Sequence, residues 1–376
     1  MELRHLTSQD TGAVLALSVD DKSEALIELP LPEFDDRLQA RFADFSLVKP
    51  FVRALLAHEP SSLSLDYLCN TSADLMRFAL ALNVRVSVMA GLDDVQLGDT
   101  TADQRWGRAL LEALNTLEPV CSDWSSPEIG YERYALSSRN HNLLIQWVDR
   151  VMPLFEGREN ILDIGCGTGI FLDQLARSGR LACGVDNNTA SVRYARMLGL
   201  NVELEDARDF LERSNSEFDA IHCSHFVEHL PVDDLAHCMK LIARALAPGG
   251  KVVLVFPDPE SIRSQLLGFW RDPDHVRFYH PDIIETMALS VGLELDSNSQ
   301  RDEQHLIASF SMQPPESMDA DLTQDGLVDC ENPVQERLAI MERRIALQEQ
   351  WIRQLWAVNQ TWAWSDDAVL SFVRPK

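Results

Sequence analysis

A chain of 376 residues has room for two domains and a full core, and its net charge of −26 gives it a surface that repels phosphate backbones. Nucleic acid is thereby excluded as a partner unless a basic groove compensates locally. The seven cysteines (Cys69, Cys121, Cys166, Cys183, Cys223, Cys238 and Cys330) form no C-x-x-C pair, which fits reduced thiols in a cytoplasmic protein better than a disulfide framework. No apolar run reaches the roughly 18 residues of a transmembrane helix, and Met1-Glu2-Leu3-Arg4 does not open a signal peptide. A soluble protein is expected, with peripheral contact at a membrane surface left open.

Residues 1–125 read as a small α/β domain. Val14–Val19 and Glu24–Leu29 have strand character, separated by the turn Asp20-Asp21-Lys22-Ser23. A helical stretch from Asp35 to His58, interrupted at Pro50, precedes a strand at Leu63–Leu68, a helix at Ser72–Leu82 and a strand at Val84–Met89. This is a βαβ order. The run from Leu63 to Met89 is similar to a βαβ piece of the first domain of GT-B glycosyltransferases, without any sugar-nucleotide motif beside it. The alternative is a docking or substrate-covering domain that carries no chemistry.

Residues 126–312 alternate strand and helix more regularly. A helix from Tyr131 to Phe155 leads into the strand Ile161-Leu162-Asp163-Ile164 and the turn Gly165-Cys-Gly167-Thr-Gly169, from which Ile170-Phe171-Leu172 opens a helix. Further strands are predicted to end at Asp186, and at Asn201–Glu205, Phe218–Cys223 and Lys251–Phe256. The helix from Asp233 to Leu246 stops at Pro248-Gly249-Gly250. After a long loop from Pro257 to Pro281 come a helix at Asp282–Leu289 and strands near Leu293 and Leu306. The fold class is therefore α/β: a Rossmann-like, doubly wound sheet with its ligand at the C-terminal ends of the strands.

The glycine spacing narrows the ligand. A dinucleotide site wants G-x-G-x-x-G, whereas Gly165, Gly167 and Gly169 alternate singly and follow an acid, Asp163, inside the strand. An acid there repels a pyrophosphate but can orient an ammonium group. Asp186, about 20 residues on, stands where a ribose-binding carboxylate belongs. The pattern D-x-G-x-G-x-G resembles the first motif of class I S-adenosylmethionine (SAM) methyltransferases. That resemblance implies that the glycines hold the methionine part of SAM, that Asp186 takes the ribose hydroxyls, and that Asp206 and Ala207 lie along the adenine. It also implies that Ser224 lies at the mouth and that Arg139, with Arg133 as a second candidate, pairs with the methionine carboxylate. An exposed helix arginine is an equal reading of both.

A narrower resemblance rests on Tyr131-Glu-Arg133, His225-Phe-Val-Glu-His-Leu-Pro231, Leu246-Ala-Pro-Gly-Gly250, Pro257-Asp-Pro259 and Asp272-Pro-Asp-His-Val-Arg277, in this order. The series is similar to the methyltransferase domain of bacterial O-antigen chain terminators and polysaccharide-cluster methyltransferases. It departs from them at Phe278-Tyr279-His280 and in having no kinase domain after it. O-methylation of a glycan or glycan phosphate is what this implies. A quinone or secondary metabolite as acceptor, or a catalytically silent scaffold, are the alternatives.

Two constellations carry chemistry. His225, Glu228 and His229 share one face if they lie on a helix, a spacing that can bind metal, but no metal is expected. His225 is then a candidate catalytic or cofactor-pocket residue. The loop from Arg271 to Pro281 offers His275 as a base for a hydroxyl acceptor and Arg277 as a partner for an acceptor phosphate or carboxylate.

Residues 313–333 are an acidic, proline-bearing linker, and 334–376 a helical segment. Val334, Leu338, Met341, Ile345, Gln348, Ile352 and Leu355 recur at heptad steps, which predicts a coiled coil and a homo-oligomer formed through this helix.

Overall fold

The computed structural model describes residues 1–8, 12–18, 27–30, 37–93, 95–116, 136, 140–214, 217–261, 264, 269–299, 341, 345 and 367–376. The first unit comprises β1 (Glu2–Ser8), β2 (Gly12–Ser18), β3 (Ile27–Pro30), β4 (Arg37–Leu38), α1 (Phe45–His58), β5 (Ser62–Leu65), α2 (Asn70–Ala81), β6 (Arg85–Val88), β7 (Gln96–Leu97) and α3 (Thr101–Thr116). Its main sheet has the order β3-β2-β1-β5-β6. The βαβ crossing through α2 is as the alternation predicts, with β5 and β6 parallel and Leu63 beside Val86. The strand Glu2–Ser8 was not legible beforehand; it pairs antiparallel with β2 and parallel with β5.

Pro50 does not interrupt α1. The helix runs through it, capped by Asp44, whose carboxylate accepts from the Ser46 N–H at 2.7 Å. A proline six residues into a helix removes one bond, to a carbonyl still near the N-terminus, and the buried face of Leu47, Val48, Phe51, Val52 and Leu55 holds the helix together across it.

The second unit runs α4 (His141–Val151), β8 (Asn160–Ile164), α5 (Ile170–Arg177), β9 (Leu181–Asp186), α6 (Thr189–Arg196), β10 (Val202–Leu204), α7 (Ala207–Arg213), β11 (Phe218–Ser224), α8 (Val232–Ala245), β12 (Leu246–Pro257), α9 (Pro281–Ser290), β13 (Glu294–Asn298) and β14 (Asp367–Val373). The sheet order is β10-β9-β8-β11-β12-β14-β13. β8 to β12 are parallel, and β14 is antiparallel to both of its neighbours. The doubly wound α/β expectation is met.

The last strand corrects the expected division of the chain. Leu306 lies outside the described residues, and the strand that completes the sheet is Asp367–Val373, within what reads as the C-terminal helical segment. Ala368, Leu370, Ser371 and Phe372 are fully buried there, between β12 and β13. The predicted linker at 313–333 and nearly all of the heptad seam fall outside the described residues. Met341 and Ile345 are described, are helical and are exposed. No helix among the described residues is long and apolar enough to cross a membrane.

The two units share a core. Tyr194 and Met197, on and just after α6, belong to the same buried cluster as Phe51 and Phe78 of the N-terminal unit, and Trp106 of α3 is part of it too. Gly199 lets the chains meet closely: its φ of +71° is the left-handed region, and a Cβ there would lie 2.6 Å from Arg105 Cγ.

Candidate active site

The turn after β8 has the shape its glycines predict. Gly165, Gly167 and Gly169 have φ of 67°, 53° and 81°, all left-handed, so side chains there would strain the backbone. A Cβ at Gly165 would also press on the Phe226 ring, at 3.1 Å. Gly169 then stands at the N-cap position of α5.

Asp186, at the end of β9, holds this turn. One carboxylate oxygen accepts the Gly167 N–H at 2.8 Å and the other accepts the Asn188 N–H at 2.7 Å. Each carboxylate oxygen has a second lone pair, so Asp186 can accept two ribose hydroxyls while keeping both bonds. On this count the turn and the carboxylate fit the nucleoside of SAM. Asp206 caps α7 by accepting the Arg208 N–H at 2.8 Å and pairs with the Arg208 guanidinium at 3.0 Å. The hydrogen bond from Arg208 holds its carboxyl below the usual range. Ala207 is buried beside it. Any further donor at Asp206 would share the carboxylate with Arg208.

Asp163 lies inside β8, as its motif predicts, and it has a partner the motif does not name. It is 2% exposed and faces His222, its register partner on β11, with Oδ1 and Nδ1 2.7 Å apart. The His222 ring stacks on Phe171 with centroids 3.9 Å apart. The acid is a strand residue paired across the sheet. The glycine motif alone did not show this, because His222 sits in an apolar strand pattern and only the register brings it to Asp163. Arg139 and Arg133 lie outside the described residues.

His225, Glu228 and His229 do not share a helix face. Ser224 ends β11, His225 takes a left-handed φ of +51°, and Val227–His229 form a single 3-10 turn. His225 Nδ1 is 3.2 Å from Glu228 and its Nε2 is 3.6 Å from Asp367 of β14. Burial works against charge on His225, but Asp367 and Glu228 outweigh it and hold its pKa well above the ordinary imidazole value. That direction favours the protonated ring, which makes His225 a poorer proton acceptor than an ordinary imidazole.

His229 turns the other way, its Nδ1 3.1 Å from the Asp274 carbonyl and its ring 4.7 Å from that of His275. The loop that carries His275 docks on this segment. Val276 N–H donates to the Glu228 carbonyl at 2.9 Å, and the Tyr279 hydroxyl donates to the Leu230 carbonyl at 2.7 Å. His275 is thereby brought beside Glu228, with Nε2 3.9 Å from its carboxylate. Burial lowers the His275 pKa and a neighbouring His229 adds to this, while Glu228 opposes both. Arg277 is exposed, with its guanidinium over the Tyr279 ring at 5.0 Å, so it is available to an anion.

Glu228 was not singled out as the centre of this arrangement, yet it touches His225 and faces His275 while being 1% exposed, and its Oε2 has no hydrogen-bond partner. One ligand atom from each of Glu228, His229 and His275 lies within 4.8 Å of the other two. That trio, rather than His225 with Glu228 and His229, is the set among the described residues spaced to share an ion.

Residues 136–298 match the family described as Methyltransferase domain. Among curated proteins, a ubiquinone biosynthesis O-methyltransferase of Paracidovorax citrulli is 35% identical over 117 residues, 29% of this chain and 48% of that protein. One from Alkalilimnicola ehrlichii is 32% identical over 134 residues, 34% of this chain and 53% of that protein. The chain spans about half the length of these curated relatives. A solved SAM-dependent methyltransferase from Archaeoglobus fulgidus aligns with a TM-score of 0.43 at 23% identity, covering 62% of this chain and 94% of that one. The stretch from 136 to 298 is thus similar to a methyltransferase domain, with SAM as the cofactor.

Proposed function

We propose that this protein methylates a hydroxyl oxygen of a small aromatic acceptor of the quinone-precursor class. When bound, SAM supplies a methyl group on a positively charged sulfur. The residues described above then have two tasks: to hold cofactor and acceptor in line, and to remove the hydroxyl proton. The observation that carries the reading is the backbone docking of the 272–280 loop on Glu228, which brings His275 beside the segment that leaves β11. Its Nδ1 donates to the Phe269 carbonyl at 2.6 Å, so its Nε2 is the proton acceptor.

The names of the curated relatives support a small phenolic acceptor over the glycan implied by the O-antigen resemblance. The loop surface is in keeping with that. Phe269 and Phe278 stack at 3.6 Å, and the exposed Trp270 ring packs edge-on against both, an apolar face suited to an aromatic ring.

The test is transfer of an isotopically labelled methyl group from SAM to a panel containing catechols, hydroxylated benzoquinols and hexose phosphates. Methylation of the phenols is expected. Transfer to the sugars alone would overturn the acceptor class, and absence of SAM binding by calorimetry would overturn the site. Asp186→Ala is expected to weaken SAM by about 1–3 kcal/mol, from loss of charge-assisted bonds.

A further inference from the structure

The N-terminal unit meets the glycine turn through a buried chain of polar side chains. Asp74 of α2 is fully buried, as is Tyr194 of α6, and the Tyr194 hydroxyl donates to Asp74 Oδ1 at 2.5 Å. The same hydroxyl lies 3.4 Å from Nδ1 of His141, the first residue of α4, and His141 Nε2 lies 3.1 Å from the Thr168 hydroxyl. Thr168 is the residue between Gly167 and Gly169, and it is 1% exposed.

For a neutral His141 ring, donor count sets the order of protons along this chain. Tyr194 has one proton and gives it to the carboxylate, so its oxygen can only accept from His141 Nδ1–H. His141 Nε2 then carries the lone pair, and the Thr168 hydroxyl donates to it. Each group orients the next. The ring of His141 is further clamped by aromatic neighbours of the N-terminal unit, Phe42 at 4.7 Å and Phe78 at 5.6 Å. Arg77 stands 3.7 Å from Asp74, and burial raises the Asp74 carboxyl while Arg77 and the Tyr194 hydrogen bond oppose that.

We propose that Asp74, Tyr194 and His141 are positioning residues for cofactor binding, acting through Thr168 on the glycine turn, so that the N-terminal unit is part of the SAM site and not a separate module. This rests on the reading of that turn as the SAM site. The physical reason is preorganisation. A turn with three left-handed glycines has many shapes open to it, and a cofactor that must first select one binds more weakly.

The test is SAM titration by calorimetry on the full chain, comparing wild type with Tyr194→Phe, Thr168→Val, Thr168→Ser and the Tyr194→Phe/Thr168→Val double variant. Tyr194→Phe keeps the ring and breaks the chain in its middle, and Thr168→Val keeps the shape and removes the hydroxyl. Each is expected to raise the SAM Kd about fivefold or more. Thr168→Ser, which keeps the hydroxyl, is expected to bind as the wild type does. The double variant is expected to be no weaker than the weaker single one, because both break the same chain. In turnover, KM for SAM is expected to rise in Tyr194→Phe without a matching fall in kcat. Unchanged affinity in Tyr194→Phe, or losses that multiply in the double variant, would overturn the proposal while leaving the SAM site standing. A wild-type protein that does not bind SAM overturns the site and the proposal together.

Discussion

His275 Nδ1 lies 2.6 Å from the carbonyl oxygen of Phe269, so the ring is held as a donor at one nitrogen and an acceptor at the other. Nothing in the order of the sequence requires this bond. It comes from the loop doubling back so that residues 269 and 275 meet, with Phe269 buried under the fold of the chain.

The first prediction follows from that ring. His275→Ala is expected to slow single-turnover methyl transfer about 100-fold at saturating SAM, with SAM affinity unchanged, because a base acts on the acceptor alone. Burial and His229 lower its pKa below the ordinary imidazole value. The base form is therefore favoured at neutral pH, and the rate is expected to fall as pH drops through that lowered value. A rate that declines from pH 8 to pH 7 would point to a different group. Arg277→Ala is expected to raise KM for a carboxylate-bearing acceptor and do little for a neutral one.

His225 behaves in the opposite sense. Asp367 and Glu228 raise its pKa in the fold despite burial, so its contribution to stability is complete below the unfolded imidazole value and is lost as pH rises through the raised one. Asp367→Asn is expected to bring the His225 titration, followed by NMR of the ring protons, back toward the ordinary value. It should also flatten the fall of stability with rising pH. A His225 that titrates identically in both proteins would exclude Asp367 as its partner.

Much of this was written locally in the chain. The glycines, Asp186 and the strand–helix alternation are short-range signals: each needs only its neighbours to be read, and each holds in the fold. Asp163 did not follow from its motif, because what it meets depends on the register of β8 against β11. The same limit hid how Glu228 meets the 272–280 loop, since the Val276 N–H that reaches its carbonyl is 48 residues further on. Asp367–Val373 does alternate like a strand, but its partners β12 and β13 precede it by a long stretch, and a heptad pattern stands between them.

The pairing of Asp163 with His222 gives a stability prediction. Removing one partner leaves a buried polar group without its hydrogen bond, which costs about 1–3 kcal/mol. Asp163→Ala is expected to lower the urea midpoint accordingly, and Asp163→Asn to lower it less, since an amide oxygen can still accept. Should Asp163→Ala unfold at the wild-type midpoint while SAM affinity drops, the acid would be a cofactor contact and not a sheet contact.

The final prediction concerns the C-terminus. A heptad seam predicts self-association through the segment after residue 333, and Met341 and Ile345, four residues apart on it, are exposed. Cutting the chain at 333 cannot test this, because the cut would also remove β14. That strand buries Ala368, Leu370 and Phe372 between β12 and β13, and losing three such side chains costs several kcal/mol, comparable with the whole stability of a domain. The cut chain is expected to be insoluble or unfolded whatever the helix does. The ends of β13 and β14 offer a better place. Asn298 lies opposite Leu370, and the Ser299 hydroxyl accepts the Val369 N–H at 2.9 Å, so a short Gly-Ser loop can join the two strands directly. Replacing residues 303–364 by such a loop is expected to leave the SAM Kd and the circular dichroism of the sheet unchanged. The mass measured by light scattering should fall from an oligomer to a monomer. Equal association states with and without the segment would assign the seam to packing within one chain.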